Sequence, residues 1–193
     1  MSELYSYFQA YLQLNIPKTK WILVFGIVFM TMFLILQERG CVKQYAKPVG
    51  TIVLGILLSL IVSFVFVMTL FRIPSKEDVS FCLKPFESYW ISAEGNIEVM
   101  LQIIINIVMF IPIGFLLPCC FKLYEKYRYV LLTVVKVSIS IELFQLIFKI
   151  GSFEIDDVIN NVFGTMIGLG IYVLAEIVKK YHTKEEDNYE FFI

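Results

Sequence analysis

Five long apolar stretches dominate this sequence and restrict what it can fold into. A helix needs about 20 mostly apolar residues to cross the hydrocarbon core of a bilayer. The stretches at 21–36, 49–71, 97–117, 129–148 and 158–178 approach or reach that length. Only 17% of the residues are charged, against about 25% in a typical soluble domain. The sequence therefore predicts an all-α, polytopic membrane bundle of five transmembrane helices, and it argues against disorder and against nucleic-acid binding.

The apolar stretches divide the chain into a membrane domain at 21–178, a preceding segment at 1–20 and a charged cytoplasmic tail at 179–193. Within 1–20, Leu4, Phe8 and Tyr11 recur at helical spacing, which predicts an amphipathic helix in the membrane interface. A frayed tail is the alternative. The N-terminus lacks the basic region and small-residue site of a cleavable signal peptide.

The distribution of lysine and arginine predicts the orientation, because cytoplasmic loops carry an excess of both. Five spans place six basic residues on the side of the N-terminus: Lys18, Lys20, Arg72, Lys76, Lys84 and Lys149. They place nine on the opposite side: Arg39, Lys43, Lys47, Lys122, Lys126, Arg128, Lys179, Lys180 and Lys184. We therefore expect the N-terminus outside the cell and the C-terminus in the cytoplasm.

The metal-binding residue types are scarce. The chain has four cysteines, none of them in a C-x-x-C pair, and its one histidine lies in the polar tail. A zinc site normally draws on several such ligands. We expect neither a metal site nor a cofactor, and no disulfide within the chain.

Charged and amide side chains interrupt the last three apolar stretches, most of them near the predicted outer ends. Such groups are costly in a bilayer and usually face a bundle interior or a watery cavity. We interpret them as an outward-facing polar pocket between three helices. The candidate residues are Glu98, Gln102, Asn106, Glu142, Gln145, Glu154, Asp156, Asp157, Asn160 and Asn161.

Several of these residues also have a purely structural interpretation. Asp156 and Asp157 can cap a helix N-terminus, where a negative charge suits the helix dipole. Asn106 and Gln145 can form hydrogen bonds between helices. Glu142 is harder to explain in this way, because an unpaired carboxylate at its depth must be protonated or find a partner.

Small residues and prolines accompany the polar groups. Gly164 and Gly168 form a G-x-x-x-G pattern, which is typical of close packing between membrane helices. Pro112, Gly114 and Pro118 lie in the inner half of the third span. Proline removes a helical hydrogen bond and predicts a kink there, a feature of transporters but also of ordinary spans.

The polar residues resemble the ordered motifs of the VanZ-like membrane proteins. Residues 106–114 resemble N-x-x-x-F-x-P-x-G, and residues 138–145 resemble S-x-x-x-E-x-x-Q. Residues 151–164 resemble a segment ending D-x-x-D-x-x-x-N-x-x-G, and residues 83–86 resemble the family's L-x-P-F stretch. The resemblance covers about residues 49–175. It implies a cell-membrane protein of Gram-positive bacteria that confers resistance to teicoplanin and related lipoglycopeptides.

Three positions depart from the family pattern. Glu154 stands where the first Asp is usual, which preserves the charge. Ser152 replaces a frequent Arg and Cys82 replaces a frequent Asn, so contacts that need those side chains are not expected in this chain.

Three functions remain open from the sequence alone. The first is a binding or shielding protein whose pocket holds membrane lipid, a lipid-linked wall precursor or the antibiotic. The second is an enzyme that modifies a lipid headgroup or wall precursor, with Glu142 paired with Asp157, Asp156 or Glu154 for acid–base work or for a divalent cation. The third is a small lipid transporter, for which no internal repeat is visible.

Overall fold

The computed structural model describes residues 19–44, 48–71 and 80–190, and within them the chain is almost entirely helical. The long helices are α1 (Thr19–Glu38), α2 (Pro48–Leu70), α4 (Ile97–Cys120), α5 (Tyr127–Ile147) and α6 (Ile155–Glu190). The shorter elements are β1 (Phe81–Cys82), α3 (Glu87–Ala93), a 3-10 helix (Lys122–Glu125) and β2 (Phe153–Glu154). The five long helices are apolar enough to cross a membrane. They confirm the predicted all-α bundle and identify a multi-pass membrane protein.

The helices begin at most three residues before the predicted spans, and the ends of α1, α2, α4 and α5 also agree within three residues, whereas α6 ends twelve residues later. α4 continues through Pro112 and Pro118 as one helix, although each proline removes a helical hydrogen bond. α6 continues to Glu190, so most of the predicted tail extends the last helix. The predicted interfacial helix at 1–20 lies, apart from its last two residues, outside the described residues.

Two ends of the bundle can be told apart by the connections they hold. One end carries β1, α3 and β2, together with the starts of α1, α4 and α6 and the ends of α2 and α5. We call this the site end. At the opposite end, the segment after α1 pairs with the segment after α4 through an antiparallel bridge between Val42 and Phe121.

The closest contact between helices joins α4 to α6, and glycines make it possible. A Cβ atom at Gly164 would overlap the carbonyl oxygen of Ile107, and one at Gly168 would overlap that of Ile111. Gly114 contacts the α6 backbone in the same way. Because both residue numbers rise along the contact, the two helices run parallel. The G-x-x-x-G face therefore packs within the chain.

The apolar core lies between α2, α4 and α5. Its buried members are Val65, Met109, Phe110, Ile113, Val134 and Ile141. A second cluster near the opposite end includes Phe33, Leu58 and Leu116. These clusters hold the helix ends at fixed depths, and that arrangement positions the polar residues described next.

The site end contains a small parallel sheet that the helical pattern does not predict. Phe81 pairs with Phe153 and Cys82 pairs with Glu154. The backbone amide of Phe153 also donates to the carbonyl oxygen of Ser80 at 3.0 Å. This pairing fixes the segment before α3 against the start of α6.

Candidate functional site

Three helices and the turn before α6 bring most of the predicted polar residues together at the site end. Eight side chains, each 6% exposed or less, form what we call the polar cluster: Asn106, Ser138, Glu142, Gln145, Asp156, Asp157, Asn160 and Asn161. Gln102 and Glu154 are half-buried at its edge, whereas Glu98 is exposed on the first turn of α4. The structure thus separates Glu98 from the buried members.

Asp156 holds the N-terminus of α3. Its Oδ1 accepts the backbone amide of Phe86 at 2.6 Å, and its Oδ2 accepts that of Ser88 at 2.8 Å. A carboxylate is a favourable partner for the unpaired amides of a helix start. Phe86 has a φ of 66°, a left-handed conformation that costs a non-glycine residue about 1–2 kcal/mol. Asp156 therefore caps a helix, but it is α3 rather than its own.

Tyr89 adds a second connection between α3 and the cluster. Its hydroxyl donates to Oδ1 of Asn160, which is fully buried on α6. Burial raises the pKa of Tyr89, and the nearby negative charge of Asp156 raises it further, so the hydroxyl keeps its proton. Tyr89 is not among the candidate residues predicted from the sequence, because an aromatic residue in an outer segment gives no signal of which helix it meets.

The polar residues of α5 bind backbone groups of neighbouring elements. Oε2 of Glu142 accepts the amide of Glu154 at 3.0 Å. Nε2 of Gln145 donates to the carbonyl oxygen of Thr69 at 2.9 Å, near the end of α2. These contacts hold β2 and α2 against α5. Lys136, also on α5, is exposed.

Two further hydrogen bonds join α6 to its neighbours. Nε2 of Gln102 donates to Oδ2 of Asp157 at 3.4 Å, and Nδ2 of Asn161 donates to Oγ of Ser138 at 3.1 Å. The first connects α4 with α6 and the second connects α6 with α5. The cluster is therefore a continuous polar layer across the three helices.

Three amide atoms of this layer are buried without a hydrogen-bond partner among the described residues. They are Nδ2 of Asn106, Nδ2 of Asn160 and Oδ1 of Asn161. A buried polar group left unpaired costs about 1–3 kcal/mol, so such groups in a native fold call for a specific explanation. Since Gly164 meets Ile107 across parallel helices, Asn106 and Asn161 lie within about one helical turn in depth. The three atoms comprise two hydrogen-bond donors and one acceptor.

The buried carboxylates and the Cys82 thiol at the site end form hydrogen bonds with other groups of the protein. Within the described residues, no group of three or more His, Cys, Asp or Glu side chains is arranged to hold a metal ion. Sγ of Cys82 donates to Oε2 of Glu87 at 2.9 Å. That hydrogen bond, together with burial, raises the pKa of the Cys82 thiol and makes it a weak nucleophile.

Comparisons with known proteins point to one family. The family model described as VanZ/LLP1 matches residues 61–176, a range that contains the whole polar cluster. Protein VanZ of Enterococcus faecium is 35% identical over 105 residues, which cover 53% of this chain and 60% of that protein. The match thus spans less than two thirds of that relative. No solved structure matches this chain.

Proposed function

The chain belongs to the VanZ/LLP1 family, and on that premise we propose that it lowers the susceptibility of a Gram-positive cell to teicoplanin or related lipoglycopeptides. In this proposal the site end faces outward, with the N-terminus outside the cell and the C-terminus in the cytoplasm. The polar cluster binds a polar group of a lipid, a lipid-linked wall precursor or the antibiotic. Binding there lowers the access of the drug to its target.

The observation that supports a binding role is the set of three unpaired amide atoms. Two nitrogens donate and one oxygen accepts, on Asn106, Asn160 and Asn161. Hydroxyl and amide groups carry both donors and acceptors, and wall precursors and glycopeptides contain many of them. A ligand of this kind would satisfy buried groups that the fold leaves unpaired.

In this proposal the α3 segment, residues 86–93, controls access to this set through its contact with Asn160. Tyr89 occupies the carbonyl oxygen of Asn160, and Asp156 anchors the amides of Phe86 and Ser88. A ligand would reach the amides when this segment moves. The same contacts would close the site once the ligand is bound.

Replacement of Asn106 by leucine separates a binding role from a structural one. Leucine has the same branching at Cγ, although it is larger, and it removes an amide whose nitrogen has no partner among the described residues. We expect Asn106→Leu to keep most of the thermal stability, because removal of an unsatisfied buried group offsets the cost of the larger side chain. We also expect teicoplanin resistance to fall to the level of cells without the protein.

The experiment measures two quantities for each variant: the minimum inhibitory concentration of teicoplanin and the amount of the protein in the membrane. Val108→Leu is the matched control, since Val108 is exposed on the other face of α4. Unchanged resistance in Asn106→Leu and in Asp157→Asn, at normal protein levels, would contradict the proposal. A changed lipid or precursor profile on mass spectrometry, dependent on Glu142, would instead favour an enzyme.

A further inference from the structure

An apolar groove opens on the side of the bundle next to the polar cluster. Its walls are α2 and α5 and its floor is α4, and its volume is about 440 Å³. We call it the α2–α5 groove and define it by Val65 and Thr69 on α2, Phe110 on α4, and Val137 and Phe144 on α5. This volume lies in the range of small-molecule sites, about 300–1,000 Å³.

The hydroxyl groups of two residues that line the groove are already used by the backbone. Oγ1 of Thr69 donates to the carbonyl oxygen of Val65 at 2.8 Å. Oγ of Ser140 donates to the carbonyl oxygen of Lys136 at 2.7 Å. These side chains therefore direct their protons away from the cavity. The walls suit a hydrocarbon better than water or a polar molecule.

The length and depth of the groove fit one leaflet of a bilayer. Its lining on α5 runs from Thr133 to Phe144, a distance of about 16 Å along the helix. One leaflet contributes about 15 Å of hydrocarbon. The groove lies within the apolar helices, where the surrounding solvent is lipid.

The groove ends where the polar cluster begins. At the site end, the side chain of Gln145 donates to the carbonyl oxygen of Thr69, a residue that also lines the groove. Phe144, the last lining residue on α5, directly precedes Gln145. The apolar α2–α5 groove thus adjoins a set of polar side chains. This order matches an amphiphile, which has an apolar chain and a polar headgroup.

We propose that the α2–α5 groove binds the acyl chain of an outer-leaflet membrane lipid, with the headgroup of that lipid beside the polar cluster. This inference rests on the proposed outward orientation of the site end. It deepens the proposed function by assigning a separate subsite for the acyl chain of the lipid. The acyl chain fills the groove and gains dispersion contacts with the side chains that line it. The headgroup is held near the buried amides.

Photocrosslinking of the full chain tests this subsite. The purified protein is reconstituted in vesicles of phosphatidylglycerol that carry a diazirine in the acyl chain, irradiated, and analysed by peptide mass spectrometry. We expect the label to concentrate on residues that line the α2–α5 groove. The comparison surface is a second apolar groove of about 460 Å³ between α1 and α2, lined by Ile27 and Leu60. Equal labelling of both grooves would overturn the proposal.

A pair of tryptophan variants on α5 provides the matched control. Val137 lines the groove and is 45% exposed, whereas Ile139 is 37% exposed and does not line it. We expect Val137→Trp to abolish the groove label and Ile139→Trp to leave it unchanged. Equal labelling in the two variants would also overturn the proposal. The map on the unaltered chain holds as a test even if Val137→Trp fails to fold.

The two proposals fail in different ways. If Asn106→Leu retains resistance while the groove is labelled, the proposed function fails and the acyl-chain subsite stands. If Asn106→Leu loses resistance while the label is spread over the whole bundle, the subsite fails and the proposed function stands. Displacement of the label by teicoplanin, but not by a glycopeptide without an acyl chain, would make the antibiotic the occupant and overturn the assignment to membrane lipid.

Discussion

Asp156 places its charge between two helix starts. It lies in the first turn of α6, where a carboxylate is favoured by the helix dipole, and it accepts both amides at the start of α3. Since both of its oxygens bind backbone groups, its direct role is to position α3 over the cluster. The remaining acids, Asp157 and Glu142, accept hydrogen bonds from Gln102 and from the amide of Glu154.

Asp156→Asn is expected to release the α3 segment. An asparagine amide nitrogen cannot accept a hydrogen bond, so one backbone amide at Phe86 or Ser88 loses its partner. The expected loss of stability is about 1–3 kcal/mol, the cost of an unsatisfied group at a charged hydrogen bond. Hydrogen exchange, followed by mass spectrometry, should become faster at residues 86–90.

Glu94→Gln is the control for this change, because Glu94 is exposed at the C-terminal end of the same short helix. It should leave exchange in α3 unaltered. Exchange in Asp156→Asn that matches the unaltered protein would show that the carboxylate does not hold the segment.

The residues of the cluster could largely be predicted, but their partners could not. Polar side chains at helical spacing within apolar stretches indicate a shared interior face, as Gln102, Asn106 and Asn161 show. The sequence does not reveal that Asp156 reaches α3, because that contact spans 68 to 70 positions. Exposure of Glu98 follows from its place on the first turn, beyond the packed part of α4.

At the scale of elements, the α4–α6 pair is the most closely packed part of the fold. Glycines let the two backbones approach so that carbonyl oxygens of α4 occupy the space where a Cβ would be. This proximity sets the relative depth of the amides on the two helices. The close packing at the glycines therefore also determines the geometry of the polar layer.

Gly164→Ala and Gly168→Ala are expected to destabilise the bundle. Each added Cβ would overlap a backbone oxygen of α4, which cannot move without the whole helix. Overpacking of this kind typically costs about 1–3 kcal/mol. Thermal unfolding in detergent, followed by circular dichroism, should show a lower midpoint for both variants.

Gly170→Ala is the control on the same helix, since nothing lies within 4 Å of its Cβ position. It should be neutral or stabilising by up to about 1 kcal/mol, because alanine favours a helix over glycine. A midpoint for Gly164→Ala equal to that of Gly170→Ala would contradict the close approach.

The five long helices could be predicted from length and hydropathy, whereas the small elements could not. Strands of two residues, such as Phe81–Cys82 and Phe153–Glu154, are too short for an alternating pattern. α3 has only seven residues, and hydrogen bonds with Asp156 and Asn160 of α6 hold it in place. Residues of α2, α4 and α5 form the α2–α5 groove together, and no single helix encodes that geometry.

At the scale of the whole molecule, the polar and apolar binding features lie on adjoining surfaces. The polar cluster is buried at the site end, and the α2–α5 groove opens sideways from it. The α3 segment above them exposes Phe86 at 54% and Trp90 at 74%. Aromatic residues of this kind favour the membrane–water interface. The whole arrangement suits a ligand that approaches within the plane of the membrane.

Cysteine accessibility decides which way this arrangement faces. Cys41 is exposed at the opposite end of the bundle, and Trp90 is exposed at the site end. The external probe is the thiol introduced by Trp90→Cys. Cys82 is a poor probe, because its raised pKa slows the reaction of its thiol with a maleimide. Cys82→Ser in the same chain removes the remaining reaction at that position. In intact cells, we expect a membrane-impermeant maleimide to label the thiol introduced by Trp90→Cys, and to label Cys41 only after permeabilisation. Labelling of Cys41 alone in intact cells would show that the bundle has the opposite orientation. The polar cluster would then face the cytoplasm, where it could not meet an external antibiotic.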